Sequence, residues 1–240
     1  MLAYLTQFKS AHLKLSLLFV VVIMGMSISS QSLASEDALL TSDSPKAISH
    51  SIKLFWLTQP PIGQANLSVL WWDVYDSWFY CKNSAEFKAQ RQTYSENIKR
   101  KQTDVYSELK LLANLCEQAA LKIQYNRDID SDDLVDETKK QWDKLGLDRK
   151  KYQIWLQTLS QIWPDIKTGE QLIFVLQTTS QDKTLKDANP NTNNQYQGQF
   201  FYQNESLKVI TDSEFSLAFL AIWLSQKTTE PELRQQLLSL

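Results

Sequence analysis

The sequence predicts an α+β protein in which a mainly antiparallel β-sheet packs against a layer of α-helices. Two observations carry that reading. Segments with a two-residue hydrophobic period, rich in aromatic and β-branched residues, follow one another through short turns. Segments with a helical period cluster instead in the middle of the chain and at its end, which is the pattern of helices gathered on one face of a sheet.

The chain opens with Lys9, His12 and Lys14 and has no acidic residue before Glu36. An apolar run from Leu15 to Ile28 follows, then Ser32-Leu33-Ala34, a small-x-small cleavage signature. A run of about 14 residues falls short of the roughly 20 needed to span a bilayer by helix, so residues 1–34 read as a secretion signal, with an uncleaved anchor as the alternative. No Cys follows the run to accept a lipid. The expected location is periplasmic or secreted, without permanent membrane insertion, and residues 35–51 read as a flexible lead-in.

From Ile52 the chain changes character. Ile52, Leu54 and Trp56 alternate with Lys53 and Phe55, which predicts a strand ending before Pro60-Pro61. Ala65 to Cys81 is dense in β-formers on both alternation sets, including Trp72, Tyr75, Trp78 and Tyr80, so this ribbon is expected to be covered on both faces. Ser84 to Glu117 interleaves Lys88, Arg91, Lys99, Arg100 and Lys101 with Glu86, Glu96, Asp104 and Glu108. Val105, Leu109, Leu112 and Leu115 recur at helical spacing, so at least its second half is an amphipathic helix with its charges on a solvated face. In Leu121 to Ile129, Leu121, Ile123, Tyr125, Arg127 and Ile129 share one face of a predicted strand.

Asp133 to Leu145 and Arg149 to Trp163 read as two helices separated by Gly146, the second with Ile154, Trp155, Leu159 and Ile162 on one stripe. Gln171 to Thr178 is a strand, and Asp182 to Gln199 a polar, Asn-rich loop. Phe200 to Gln203 and Leu207 to Ile210 flank Asn204-Glu205-Ser206 as a hairpin whose Asn tolerates a positive backbone angle. Thr211 with Glu214, and Thr229 with Glu232 around Pro231, make capping boxes for two final helices.

Composition narrows the chemistry. Without the signal the net charge is near −4, which argues against nucleic acid as the main partner. Only His50 remains of the two histidines, so a His-dependent triad or a multi-His metal site is not expected. Four glycines scattered at Gly63, Gly146, Gly169 and Gly198 make no phosphate-cradling loop, so no nucleotide cofactor is expected. Cys81 and Cys116 are the only cysteines. In an oxidising compartment an even pair reads as a disulfide, the alternative being two buried thiols.

The succession Trp72-Asp73-Val74-Tyr75-Asp76, Tyr125-Asn126-Arg127-Asp128-Ile129, Trp163-Pro164-Asp165-Ile166-Lys167-Thr168-Gly169-Glu170 and Phe215 through Phe219 to Ile222-Trp223-Leu224, closing with Pro231-Glu232-Leu233-Arg234 and Leu237-Leu238, resembles the bacterial chalcone isomerase-like proteins. The match runs from about Leu54 to Leu240. The resemblance implies a sheet backed by helices with a cleft between them, and a fold that hosts both a ring-closing isomerase and fatty-acid binders. The segment 84–117 and the Asn-rich loop before Phe200 are both longer than the resemblance would predict, and 84–117 reads as a charged helical insert in a domain spanning 52–240.

Ring-closing members place an Arg on the strand before the ribbon, where it stabilises a phenolate. Leu54 to Gln64 contains no Arg, the nearest cation being Lys53, so isomerase activity is the lesser expectation. The favoured reading is a non-catalytic protein that binds a small hydrophobic acid, fatty-acid-like or aromatic. Arg127 and Tyr125 would hold the carboxylate, with Tyr75, Trp72 and Trp78 lining the cleft. The competing reading has Arg127 paired structurally with Asp128 or Asp165 and the aromatics as core. A protein partner docking on the 84–117 insert is the third.

Overall fold

The computed structural model describes residues 54–69, 72–179 and 195–240. The signal segment 1–34, the lead-in 35–51 and positions 182–194 of the predicted polar loop lie outside the described residues.

Six strands pair antiparallel in chain order: β1 (Gly63–Val69), β2 (Trp72–Cys81), β3 (Gln118–Tyr125), β4 (Gln171–Thr179), β5 (Gln195–Tyr202) and β6 (Glu205–Ile210). The predicted α+β class is the one observed. Neighbours in sequence are neighbours in the sheet, but the short turns expected between strands hold for β5–β6, whereas β2–β3 and β3–β4 are each joined through two helices. Between β5 and β6 the turn residues Gln203 and Asn204 take φ of 49° and 70°, the left-handed pair that suits a two-residue hairpin. Gln195–Gln199, expected in the polar loop, belong to β5, because their glutamines alternate with the inward-facing Tyr196 and Gly198.

Helices fill the connections: α1 (Ser84–Lys101) and α2 (Val105–Cys116) between β2 and β3, α3 (Ser131–Lys144) and α4 (Arg149–Ile162) between β3 and β4, α5 (Ser213–Leu224) and α6 (Pro231–Leu238) after β6. Strand alternation sends Tyr75, Phe79, Cys81, Leu121, Ile123, Tyr125, Leu172, Phe174, Tyr196 and Phe200 into one core with these helices. The segment 84–117 is part of that core. Phe87, Tyr94, Ile98, Leu109 and Leu112 are buried in it, and α2 packs on α5 and β4.

The centre of the helical layer is α5. Every residue from Phe215 to Ile222 is buried, so the helix is apolar around its circumference and is covered on all sides, touching α2, α3, α6, β5 and β6. Gly198 lets it approach the sheet, since a Cβ there would lie 2.4 Å from the Phe174 ring and 2.9 Å from Ser216 Oγ. The opposite face of the sheet is closed over a smaller area by a 3-10 helix, Leu54–Thr58, whose Trp56 packs on Tyr80, Ala120, Ile173, Val175 and Phe201.

Several sequence expectations are corrected. The strand read over Ile52 to Trp56 is this 3-10 helix in its described part, lying across the sheet and tied by Thr58 Oγ1 donating to Phe55 O. Too few residues separate a period of two from one of three there. The strand through Leu121 ends at Tyr125, where Gly169 N caps the Tyr125 carbonyl, and Ile129 makes an isolated bridge to Ile166. Ile154 is 67% exposed, and the buried stripe of α4 is Tyr152, Trp155 and Leu159. The cap of α5 is Asp212, whose carboxylate accepts from Phe215 N and Trp155 Nε1, rather than Thr211. At α6, Thr229 turns to Gln141 and no side chain caps the helix.

Glu108, expected on a solvated face, is 1% exposed and pairs with Arg234 at 3.2 Å. Its carboxylate also accepts from Ser225 Oγ and Gln226 N, and Arg234 Nε donates to Leu224 O at 2.7 Å. Burial raises the Glu108 carboxyl above its ordinary value, against the pull of these donors.

Cys81, ending β2, and Cys116, ending α2, are joined by a disulfide with Cα atoms 4.9 Å apart. It clips the α1–α2 pair at its base across a separation of 35 residues. Denatured, unreduced protein should show no free thiol, and Cys81→Ser with Cys116→Ser should lower stability in urea by about 3 to 4 kcal/mol on the chain-entropy account. Gly63 packs directly against α6, where a Cβ would lie 2.0 Å from Gln236 O and 2.6 Å from Leu237 O. Neither backbone oxygen can rotate away, so Gly63→Ala should cost about 1 to 3 kcal/mol, read as a lowered urea midpoint with unchanged slope.

Candidate functional site

β2 and β3 set the candidate site by their register. Tyr75 is directly opposite Tyr125, so both phenols leave the sheet on the helix side at the end where β2 begins and β3 ends. Their rings meet edge-on with centroids 6.0 Å apart. From α5, Trp223 Nε1 donates to Tyr75 Oη at 2.9 Å, and Phe219 packs on Trp223 at 5.2 Å. No hydrogen bond of the Tyr125 hydroxyl occurs among the described residues.

Burial raises both phenols well above their ordinary value of 10.0. For Tyr75 the indole hydrogen bond opposes burial, while the negative charges of Glu230 and Glu137 reinforce it. For Tyr125 the neighbouring Tyr75 reinforces it. Both groups are therefore neutral donors at any physiological pH, poised to hydrogen-bond an oxygen acceptor rather than to ionise.

Past Tyr125 the chain bends, and Arg127 is held there by its neighbours. Asn126 N donates to Val74 O, and Asn126 Nδ2 donates to Asp76. The Arg127 guanidinium carbon lies 5.8 Å from the centroid of the Trp72 ring, which is 56% exposed. This is a cation over an aromatic face at the rim of the β2–β3 ribbon. Asp128 takes Lys167 Nζ at 3.1 Å and Thr168 N and Oγ1, and Asp165 takes Ser131 N.

Four of the five candidate residues thus gather at one end of one strand pair: Tyr75 and Tyr125 inside, Trp72 and Arg127 at the rim. Trp78 does not join them. It points to the other face of the sheet, where Lys122 Nζ sits 4.5 Å over its ring and its indole donates to Gln64. There it lines a hollow of about 280 Å³ with Gln64, Asn66, Asp76 and Gln236. Strand parity is the reason: Trp78 is three residues from Tyr75, an odd step along a regular stretch, whereas the equal step back to Trp72 crosses a register shift that skips Val74 between the Ser68–Asp73 and Leu67–Tyr75 pairs. Sequence reasoning missed Trp223 as a site residue, although its spacing of four from Phe219 puts both on one face of α5.

No family model matches the sequence, and no curated protein matches it. The crystal structure of an Arabidopsis thaliana fatty-acid binding protein does match in three dimensions, with a TM-score of 0.50 at 11% identity, covering 74% of this chain and 85% of that one. The chain shares its fold with this plant protein. Its α+β architecture is chalcone isomerase-like, as the resemblance implied. At such identity the likeness is one of fold, and the site must be argued from its own side chains. No helix among the described residues is long and apolar enough to cross a membrane.

The raised phenols give a test with a defined sign. A group whose native pKa is raised contributes stability that is fully present below the unfolded value, about 10 for tyrosine, and lost as pH climbs through the native value. Ultraviolet titration of the folded protein should leave Tyr75 and Tyr125 un-ionised past pH 10, and Tyr75→Phe with Tyr125→Phe should reduce the missing absorbance by two tyrosines.

Proposed function

We propose that this chain is an exported, non-catalytic binding protein of the bacterial chalcone isomerase-like branch, which takes a small hydrophobic acid at the β2–β3 end of its sheet. The observation that carries the reading is the pairing of a rim cation, Arg127 on the exposed ring of Trp72, with two buried neutral phenols, Tyr75 and Tyr125, only a few residues away on the same strand pair. A guanidinium recognises a carboxylate, and the apolar surround of Tyr75, Tyr125, Phe219 and Trp223 suits an acyl or aromatic tail. The fold shared with a fatty-acid binding protein agrees with that use. The signal-like residues 1–34 and the Cys81–Cys116 bridge agree with export to an oxidising compartment.

The reading is tested on the mature protein by native mass spectrometry and by titration with dodecanoate, followed through tryptophan fluorescence. Wild type is expected to retain or bind the acid. Arg127→Met should weaken binding at least tenfold, which is about 1.4 kcal/mol, with an unchanged melting temperature. A wild-type chain that binds no hydrophobic acid defeats the proposal, and unfolding of Arg127→Met assigns Arg127 to structure instead.

A further inference from the structure

The side chains of the buried Glu108–Arg234 pair bond the residues that directly follow Trp223. Arg234 Nε donates to Leu224 O at 2.7 Å. Ser225 Oγ donates to Glu108 at 2.8 Å, and Gln226 N donates to both of its oxygens at 2.9 and 3.0 Å. Thus residues 224, 225 and 226 are each fixed by a charge-assisted bond. Thr228 Oγ1 adds a bond to Ile222 O on the other side of Trp223. From α1, Tyr94 closes the pair off, and its phenol is raised by its own burial and by Glu108.

Trp223 is the side chain that reaches Tyr75. Its indole bond occupies one acceptor position on the Tyr75 oxygen, which restricts where the phenol can aim its own proton. We propose that Glu108 and Arg234 are positioning residues of the binding site: they hold the end of α5 so that Trp223 orients the Tyr75 hydroxyl toward the bound oxygen. The pair reaches across the helical layer, since Glu108 lies on α2, Arg234 on α6 and Tyr75 on β2. Its effect on binding rests on the ligand reading above, whereas its effect on Trp223 does not.

The experiment uses the mature protein with its tryptophans labelled in the indole nitrogen. The Trp223 indole resonance is assigned by Trp223→Phe, and those of Trp142 and Trp155 serve as internal controls. These two donate to Ala218 O and to the Asp212 carboxylate, so they report the body and the start of α5. Glu108→Gln should shift the Trp223 resonance and leave the two controls in place. Ser225→Ala, which removes one bond and leaves the charges, should shift it in the same direction by less.

Dodecanoate affinity should fall about tenfold in Glu108→Gln and in Trp223→Phe, and no further in the double variant, because the two act on one bond. An unmoved Trp223 resonance in both variants overturns the proposal. Should Glu108→Gln fail to fold, Ser225→Ala decides alone: a Trp223 shift without a control shift supports positioning, and any other pattern reduces the pair to a purely structural role. A shifted resonance in a protein that binds no dodecanoate upholds the orientation of Tyr75 while removing the ligand reading.

Discussion

A helix that is apolar around its whole circumference has to be dry on every side, and the layout of this protein follows from satisfying that condition for α5. The sheet covers one flank of α5, α2 and α6 cover others, and α3 closes the outside with Trp142 and Phe215 in edge contact. Dryness creates a second demand. The carbonyls at the end of a buried helix have no water to accept from, so side chains must supply the donors. Arg234 serves Leu224 O and Thr228 serves Ile222 O at that end, while the Trp142 indole adds a bond to Ala218 O in the body of the helix. The guanidinium brought in for a carbonyl then needs a counter-charge, and Glu108 provides it.

This chain of needs explains why a costly arrangement persists. Removing one partner of a buried ion pair typically costs about 3 to 5 kcal/mol, because the other charge is left in an apolar medium. Replacing both with apolar residues would spare that cost but would abandon the Leu224 carbonyl and the Gln226 amide. The pair is therefore held in place by the backbone it serves. The Cys81–Cys116 bridge works at the other end of α2, fixing that helix to β2, so the strand that carries Tyr75 and the helix that carries Glu108 share a covalent anchor.

Much of this was readable in the sequence where one physical demand dominates. The two-residue period of Leu121 to Tyr125 admits only a strand with one buried face, and the apolar run from Phe215 to Leu224 admits only a covered helix. The cysteine pair was readable because the signal-like N-terminus and the even cysteine count point the same way. What escaped was settled by tertiary partners. Glu108 looks like its exposed neighbours in composition, and nothing local shows that Arg234, 126 residues away, will meet it. Trp56 looked like a strand residue because a five-residue segment has no periodicity to measure. The separation of Trp78 from Tyr75 was available from parity alone, but an aromatic-rich ribbon invites pooling its rings into one cleft, and the sheet divides them.

The division of labour within the candidate site follows from its charges. Around Tyr75 the charged groups that act on the phenol are the carboxylates of Glu230 and Glu137, and both push its proton to stay. An anionic head group placed at that depth would meet the same repulsion and would lose its hydration as well. At the rim the balance reverses, because Arg127 spreads its charge over the solvent-facing ring of Trp72. On the proposed reading a ligand acid would therefore keep its carboxylate at the rim against Arg127, with one oxygen turned inward to the hydroxyls of Tyr75 and Tyr125 and the tail along the surrounding rings. The two phenols, fixed as neutral donors, would then offset by hydrogen bonding what the head group loses in hydration.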